Sequence, residues 1–345
     1  MAFIELGELC DKGTSNLAQK DLLIDSGRYP VYGAAGEITK VDFYQQSKPY
    51  LGIVKDGAGV GRVMRLPSNS SVIGTLQYIF PKENVDLKYL YYLIKYLDLG
   101  KSNTGATIPH IYFKDYKKRK VKVKSYSEQK HIGKIFELLD MQLNTYKNTL
   151  KQYNLLIKSR FVDLFGDIEL NDKKWKKIKF GELIQSANNG LARRGNDKAG
   201  NIVLRLIELQ ENLINYSDPN RILLTDDEKK RYRLLEGDLL FARVNGNPKN
   251  VGRCATFYEY GEQVYHNDHI IRTSCDKRQL DSVFAAYLFN SEYGKNRISR
   301  KIKTSAGQYT INQEGLKSIE IILPPIVIQY SFSEFVKQIN KLKFA

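Results

Sequence analysis

The residues of this chain best suited to chemistry are cations, amides and hydroxyls in short loops. Arg243-Val244-Asn245-Gly246-Asn247-Pro248-Lys249-Asn250 follows the apolar run Leu239 to Ala242. Arg243, Asn245, Asn247 and Lys249 there carry the groups that pair bidentately with guanine and adenine edges. An earlier counterpart is Lys55-Asp56-Gly57-Ala58-Gly59, in which Lys55 is the candidate. Ser102 to Thr107 and Lys303 to Thr310 combine small hydroxyl residues with glycine, which suits close approach to a phosphate. Their candidates are Thr104, Thr107, Lys303, Thr304, Gln308 and Tyr309. Arg62, His110, Arg193, Arg194 and Arg253 complete the set. Taken singly, each also reads as part of a solvated surface.

A catalytic apparatus is not legible. Gly100-Lys101-Ser102 has the ending of a phosphate-binding loop, but Lys95 stands where its first glycine is required. The spaced glycines of Gly57-Ala58-Gly59-Val60-Gly61 run into another strand, Arg62 to Leu66, and so predict a tight hairpin rather than a dinucleotide fold. Pro324-Pro325 is flanked by Leu323 and Ile326, not by the Asn or Asp and the aromatic that hold a target amine. His266-Asn267-Asp268-His269, with Cys254 and Cys275, lacks paired metal-ligand spacing. Asp226-Asp227-Glu228-Lys229 reads as a solvated helix start, not a nuclease carboxylate set. No catalytic residue, metal site or cofactor site is therefore assigned.

Composition agrees with a binding role. With 54 Lys and Arg against 38 Asp and Glu, the net charge is +16, which favours a polyanion, and 23 tyrosines add stacking surface. Three scattered cysteines do not make a disulfide framework, so a reducing cytoplasm is expected. No stretch reads as an export signal or a membrane span.

The elements that must position these loops are organised around Ser127 to Phe165. Phe136, Leu143, Leu150, Ile157 and Leu164 recur every seven residues, with Ile132, Leu139, Tyr146 and Tyr153 between them. The spacing predicts a helix of roughly 58 Å, with a start capped at Ser127, a stop at Gly166-Asp167 and an apolar seam that needs a partner. The globular stretches on either side echo each other. Gly7-Glu8-Leu9 returns as Gly181-Glu182-Leu183, Val60-Gly61-Arg62 as Val251-Gly252-Arg253, Tyr92-Leu93 as Tyr287-Leu288 and Thr107-Ile108 as Thr310-Ile311. A shorter helix places Phe332, Val336 and Ile339 as the first places Ile132, Phe136 and Leu139. The fold class is therefore α+β: two homologous mixed domains, 1–126 and 168–325, separated by a long coiled-coil helix, 127–167, with a shortened one at 326–345.

Gly105-Ala106-Thr107-Ile108-Pro109, Ser127-Glu128-Gln129-Lys130-His131-Ile132 and Ser159 to Asp167, in this order of elements, resemble the specificity subunit of type I restriction-modification systems. The resemblance covers essentially the whole chain. It implies a non-catalytic subunit whose two target recognition domains each read half of a bipartite site in double-stranded DNA. It further implies that the helices pair antiparallel, set the spacer and dock methyltransferase subunits through Ile132, Phe136, Leu139, Leu143, Leu150, Ile157, Leu164, Phe332, Val336 and Ile339. S-adenosylmethionine would belong to those partners, joined by restriction and translocase subunits in complexes that also cleave; no membrane is involved. The short second helix departs from the family pattern of two comparable helices, and marks a truncated or recombined form or a bundle completed by partners. The competing readings are a self-contained methyltransferase or nuclease with diverged motifs, and a coiled-coil interaction protein that binds nucleic acid.

Overall fold

The computed structural model describes residues 3–22, 27–102, 108–305 and 307–344. It divides into two compact units, Met1–Asn148 and Thr149–Ala345, and the second repeats the plan of the first. In the first unit an antiparallel sheet orders its strands Cys10–Thr14, Leu76–Pro81, Tyr50–Val54 and Val63–Leu66. In the second the order is Ile184–Asn189, Ile270–Cys275, Leu239–Ala242 and Cys254–Thr256. Tyr50–Val54 and Leu239–Ala242 are buried at every position, which is why both read as unbroken apolar runs.

A three-stranded mixed sheet accompanies each. Tyr29–Gly33 pairs antiparallel with Gly36–Val41 and parallel with Ser71–Val72. Asn201–Leu204 likewise pairs antiparallel with Arg221–Ile222 and parallel with Val264–His266. A two-stranded ribbon closes each unit, Phe3–Glu5 on Lys120–Lys122 and Lys176–Lys179 on Glu320–Leu323. The helices Leu87–Leu97 and Ser282–Asn290 are capped alike, Asp86 accepting the Tyr89 amide at 2.9 Å and Asp281 the Phe284 amide at 2.8 Å.

Backbone hydrogen bonds fix the register of the repeat. The Arg62 carbonyl accepts the Val54 amide and the Arg253 carbonyl the Ala242 amide, both at 2.9 Å. Gly61 and Gly252 follow suit at φ +84° and +77°, and a side chain on Gly61 would run into the Gly100 backbone. One expected correspondence is corrected. The Ile111 amide donates to Lys55 at 3.0 Å and the Ile311 amide to Arg243 at 2.9 Å, so Ile311 matches Ile111, not Ile108. Ile111 and Ile311 are buried whereas Ile108 is exposed; packing, which a short string match does not weigh, decides the alignment.

The long helix spans Tyr126–Phe165. Its cap is Ser125, not Ser127: the Ser125 amide and hydroxyl both donate to Glu128 Oε2, at 2.9 and 2.8 Å. Gly166, at φ +75°, ends it by donating to the Val162 carbonyl at 2.7 Å. Within the first unit the helix is held by Phe136 against the Tyr92 ring (5.2 Å between centroids), Arg65 on Glu137 (2.7 Å) and the Tyr92 hydroxyl on Asp140 (3.0 Å). Within the second unit Ile157, Phe161 and Phe165 enter the core beside Phe284 and Phe332.

The second helix, Ile326–Phe344, lies antiparallel to this last part: Phe332 meets Phe161 at 5.2 Å, and Lys343 Nζ reaches Asn154 Oδ1 at 2.9 Å. Phe332, Val336, Ile339 and Ile157, expected on a docking seam, are instead buried in the second unit's core. The helix is amphipathic, and its apolar face is already covered by its own unit. Ile132 and Leu164 are half-buried. Phe136, Leu139, Leu143 and Leu150 stay open, 42 to 55% exposed. All three cysteines are buried free thiols, and among the described residues no helix is long and apolar enough to cross a membrane.

Candidate nucleic-acid interface

In the second unit the chain leaving the buried strand Leu239–Ala242 becomes the outer strand Val244–Asn245, which pairs with Gln308–Thr310, itself paired with Lys303–Ser305. The registers put Asn245 opposite Tyr309, and Tyr309 opposite Thr304. Sequence-distant candidates thus converge: Asn245, Lys303, Thr304, Gln308 and Tyr309 share one small sheet, Arg243 stands just before its outer strand with its carbonyl accepting the Ile311 amide, and the exposed Asn247 and Lys249 stand on the turn that leaves it. Two amides are partly committed. Asn245 Oδ1 accepts the Asn247 amide at 2.9 Å, and Asn247 Oδ1 accepts the Lys249 amide at 3.0 Å, capping Pro248–Asn250. Their side-chain NH2 groups remain for a ligand, so these residues shape the loop as well as presenting donors.

Beside this sheet stands a group whose members the sequence does not join. Arg194 Nη1 donates to Asp268 Oδ1 and to the Ala192 carbonyl, both at 2.7 Å, while its Nη2 lies 3.0 Å from His269 Nε2. Arg243 Nη2 approaches the same Asp268 carboxylate at 4.0 Å, and its backbone amide donates to the His269 carbonyl at 2.8 Å. Burial lowers the pKa of the His269 ring, and Arg194 and Arg243 push the same way against the opposing Asp268 charge. The neutral ring can then accept a hydrogen bond from Arg194 Nη2. The string His266-Asn267-Asp268-His269 is thus divided by the fold: His266 is fully buried, Asp268 and His269 face Arg194, and no metal-binding group occurs among the described residues.

The first unit carries a related arrangement at the end of Tyr50–Val54. Lys55 Nζ meets Asp56 Oδ2 and His110 Nδ1 meets Asp56 Oδ1, both at 2.7 Å. Burial would raise the Asp56 carboxyl, but the Lys55 and His110 partners outweigh it and hold it below the usual value. His110 stacks near Tyr112, over which Lys114 Nζ lies at 5.3 Å. Thr104 and Thr107 lie outside the described residues.

Other candidates are engaged elsewhere. Arg193 makes a two-pronged contact with Glu228 at 2.7 and 2.8 Å, and Arg193 in turn holds the Glu228 carboxyl down at about 2. The pair pins the helix Asp226–Tyr232, so Arg193 is not among the open cations. Arg253 is half-buried with Nη1 on Gln210 at 3.0 Å. Arg62 is exposed and donates to the Ala34 carbonyl at 2.8 Å. Asp56, Asp268 and His269 are not binding candidates in the sequence, because carboxylates are not an obvious part of a polyanion site and only the fold brings these residues to the cations.

The class defined by this geometry is a duplicated α+β protein with a cation at the same strand end of each unit, Lys55 in the first and Arg243 in the second, joined in the second by the amides of Asn245 and Asn247. Residues 1–153 and 172–345 match the type I restriction modification DNA specificity domain, and the chain belongs to that family. It is 27% identical to the type I restriction enzyme StySPI specificity subunit of Salmonella potsdam, over 84% of this chain and 65% of that protein. It is 24% identical to the EcoKI specificity subunit of Escherichia coli, over 71% and 55%. This chain thus spans less than two thirds of the length of either relative. A crystal structure of the type I restriction-modification S subunit from M. genitalium shares the fold at TM-score 0.68, with 14% identity over 99% of this chain and 90% of that one.

Proposed function

We propose that this chain is the DNA sequence-recognition subunit of a type I restriction-modification complex, each unit reading one half of a bipartite site in double-stranded DNA. The observation that carries the reading is the duplication itself. Two homologous units each present a cation at the same strand end, with amides beside it in the second, in a chain of net charge +16, and the family to which it belongs is named for DNA specificity. Such groups supply both phosphate attraction and base-edge contacts.

The chain is not itself an enzyme in this reading. Methyltransferase subunits dock on the long helix through Phe136, Leu139, Leu143 and Leu150, whose exposure suits a helical partner. Those subunits bind S-adenosylmethionine and transfer the methyl group, and restriction and translocase subunits join complexes that cleave. The test is co-expression with a methyltransferase subunit of such a system, followed by single-molecule mapping of adenine methylation in the host genome. The expected result is one methylated motif of two short half-sites separated by a fixed gap. A stable complex that methylates no such motif would refute the proposal.

A further inference from the structure

We infer that Asp268 in the second unit and Asp56 in the first are specificity-determining positioning residues, which orient the cations and imidazoles of each face toward base edges and weaken indiscriminate phosphate binding. This rests on the DNA-recognition reading and names the groups that would make it selective.

Three observations lead here. The carboxylates sit among the cations of a face meant for a polyanion, where a negative charge opposes binding in general. Stability does not account for them: the Asp268 and Asp56 side chains are 23 and 29% exposed, and partly exposed ion pairs add little to stability. They were also not copied by the duplication. The Lys55 amide donates to Thr75 and the Arg243 amide to His269, so Asp268 matches Gly74 in the repeat, while Asp56 matches Val244. Each unit brings a carboxylate to the same cation from a different part of its chain.

What the carboxylate does follows from donor geometry. Arg194 has five N–H donors, and the Ala192 carbonyl, Asp268 and His269 take three. Two remain, one on Nε and one on Nη2, the number that a bidentate contact to a guanine edge uses. A guanidinium held at three points presents that fork in one orientation, whereas an untethered one would follow any phosphate. In the first unit Asp56 plays this part for His110: with Nδ1 held on the carboxylate, the other ring nitrogen, Nε2, is left for a base edge.

The test uses the full chain co-expressed with a methyltransferase subunit and selected against a library of random duplexes, with affinity for a duplex lacking the selected motif measured alongside. Asp268→Asn is expected to bind the motif-free duplex more tightly, by about 2-fold or more, because one opposing charge is gone. It should also lose about 10-fold or more of its discrimination at positions of one half-site only. Asp56→Asn should do the same at the other half-site, and Asp268→Glu should restore part of the discrimination. Unchanged selection by both Asn variants would overturn the inference. So would equal losses on motif and motif-free duplexes with a lowered melting temperature, which would make the carboxylates structural. A wild-type chain that selects no motif would instead sink the recognition reading, and this inference with it.

Discussion

Gln329 Oε1 accepts the backbone amide of Asp281 at 2.9 Å, joining the start of one helix to the cap of another. Gln329 is fully buried, and its Nε2 donates to the carbonyls of Pro324 (2.7 Å) and Gln279 (3.0 Å). Gln129 repeats the device in the first unit, accepting the Asp86 amide at 3.0 Å and donating to Lys124 at 3.0 Å. Gln329→Ala strands one buried donor and two acceptors, so denaturant unfolding of the second unit should lose roughly 3 kcal/mol. A loss within about 0.5 kcal/mol, the range for an ordinary surface substitution, would show that water replaces the side chain there.

His266 makes stability depend on pH. Burial lowers its pKa to about 4, from an ordinary 6.5, because no solvent reaches the charged ring. The unfolded chain therefore binds the proton more readily than the folded one between those values. Stability is complete above pH 6.5 and falls as pH drops toward 4, by about 3 kcal/mol in all. Denaturation midpoints at pH 7 and pH 5 should differ in the wild type by more than in His266→Asn. Equal differences would show that other groups set the acid limit.

The apolar positions of the helices divide by what they touch. Leu143→Glu, at an exposed site, should change stability by no more than about 0.5 kcal/mol yet weaken co-purification of a methyltransferase subunit. Phe332→Ala, in the core, should cost about 3–5 kcal/mol in chemical unfolding of the second unit. The reverse pattern would move the docking surface to the C-terminal helix.

The two arginines of the second unit separate likewise. Arg243→Ala should relax recognition in one half-site by about 1–3 kcal/mol, read from selection against random duplexes. Arg193→Ala should leave selection unchanged, since its guanidinium is spent on Glu228. Uniform weakening on all duplexes by Arg243→Ala would assign it to phosphate.

Insertion of seven residues in the exposed stretch after Leu143 lengthens the helix by about 10 Å, roughly three base pairs of duplex. Methylation mapping should show a longer spacer between unchanged half-sites. An unchanged spacer would remove the helix from the role of ruler.

Periodicity and local repetition are properties of neighbouring residues, and they were legible in the sequence. The heptad run marks the helix Tyr126–Phe165 almost to its ends, and glycines mark the duplication: Gly61 and Gly252 because both turns need a positive φ, Gly7 and Gly181 because each packs closely against a lysine, Lys117 and Lys317. The loops Lys55 to Gly59 and Arg243 to Asn250 were equally visible as the end of an apolar run followed by a cation, with amides after it in the second. Only the tertiary structure decided three further matters. It showed that Ser125 rather than Ser127 caps the helix, since that choice depends on which hydroxyl reaches Glu128. It took Phe332, Val336 and Ile339 into the core, because an apolar stripe does not say which surface will cover it. Finally, it set Asp268 and His269 against Arg194 and Arg243, residues far apart along the chain that meet because strands Ile270–Cys275 and Leu239–Ala242 are neighbours in one sheet.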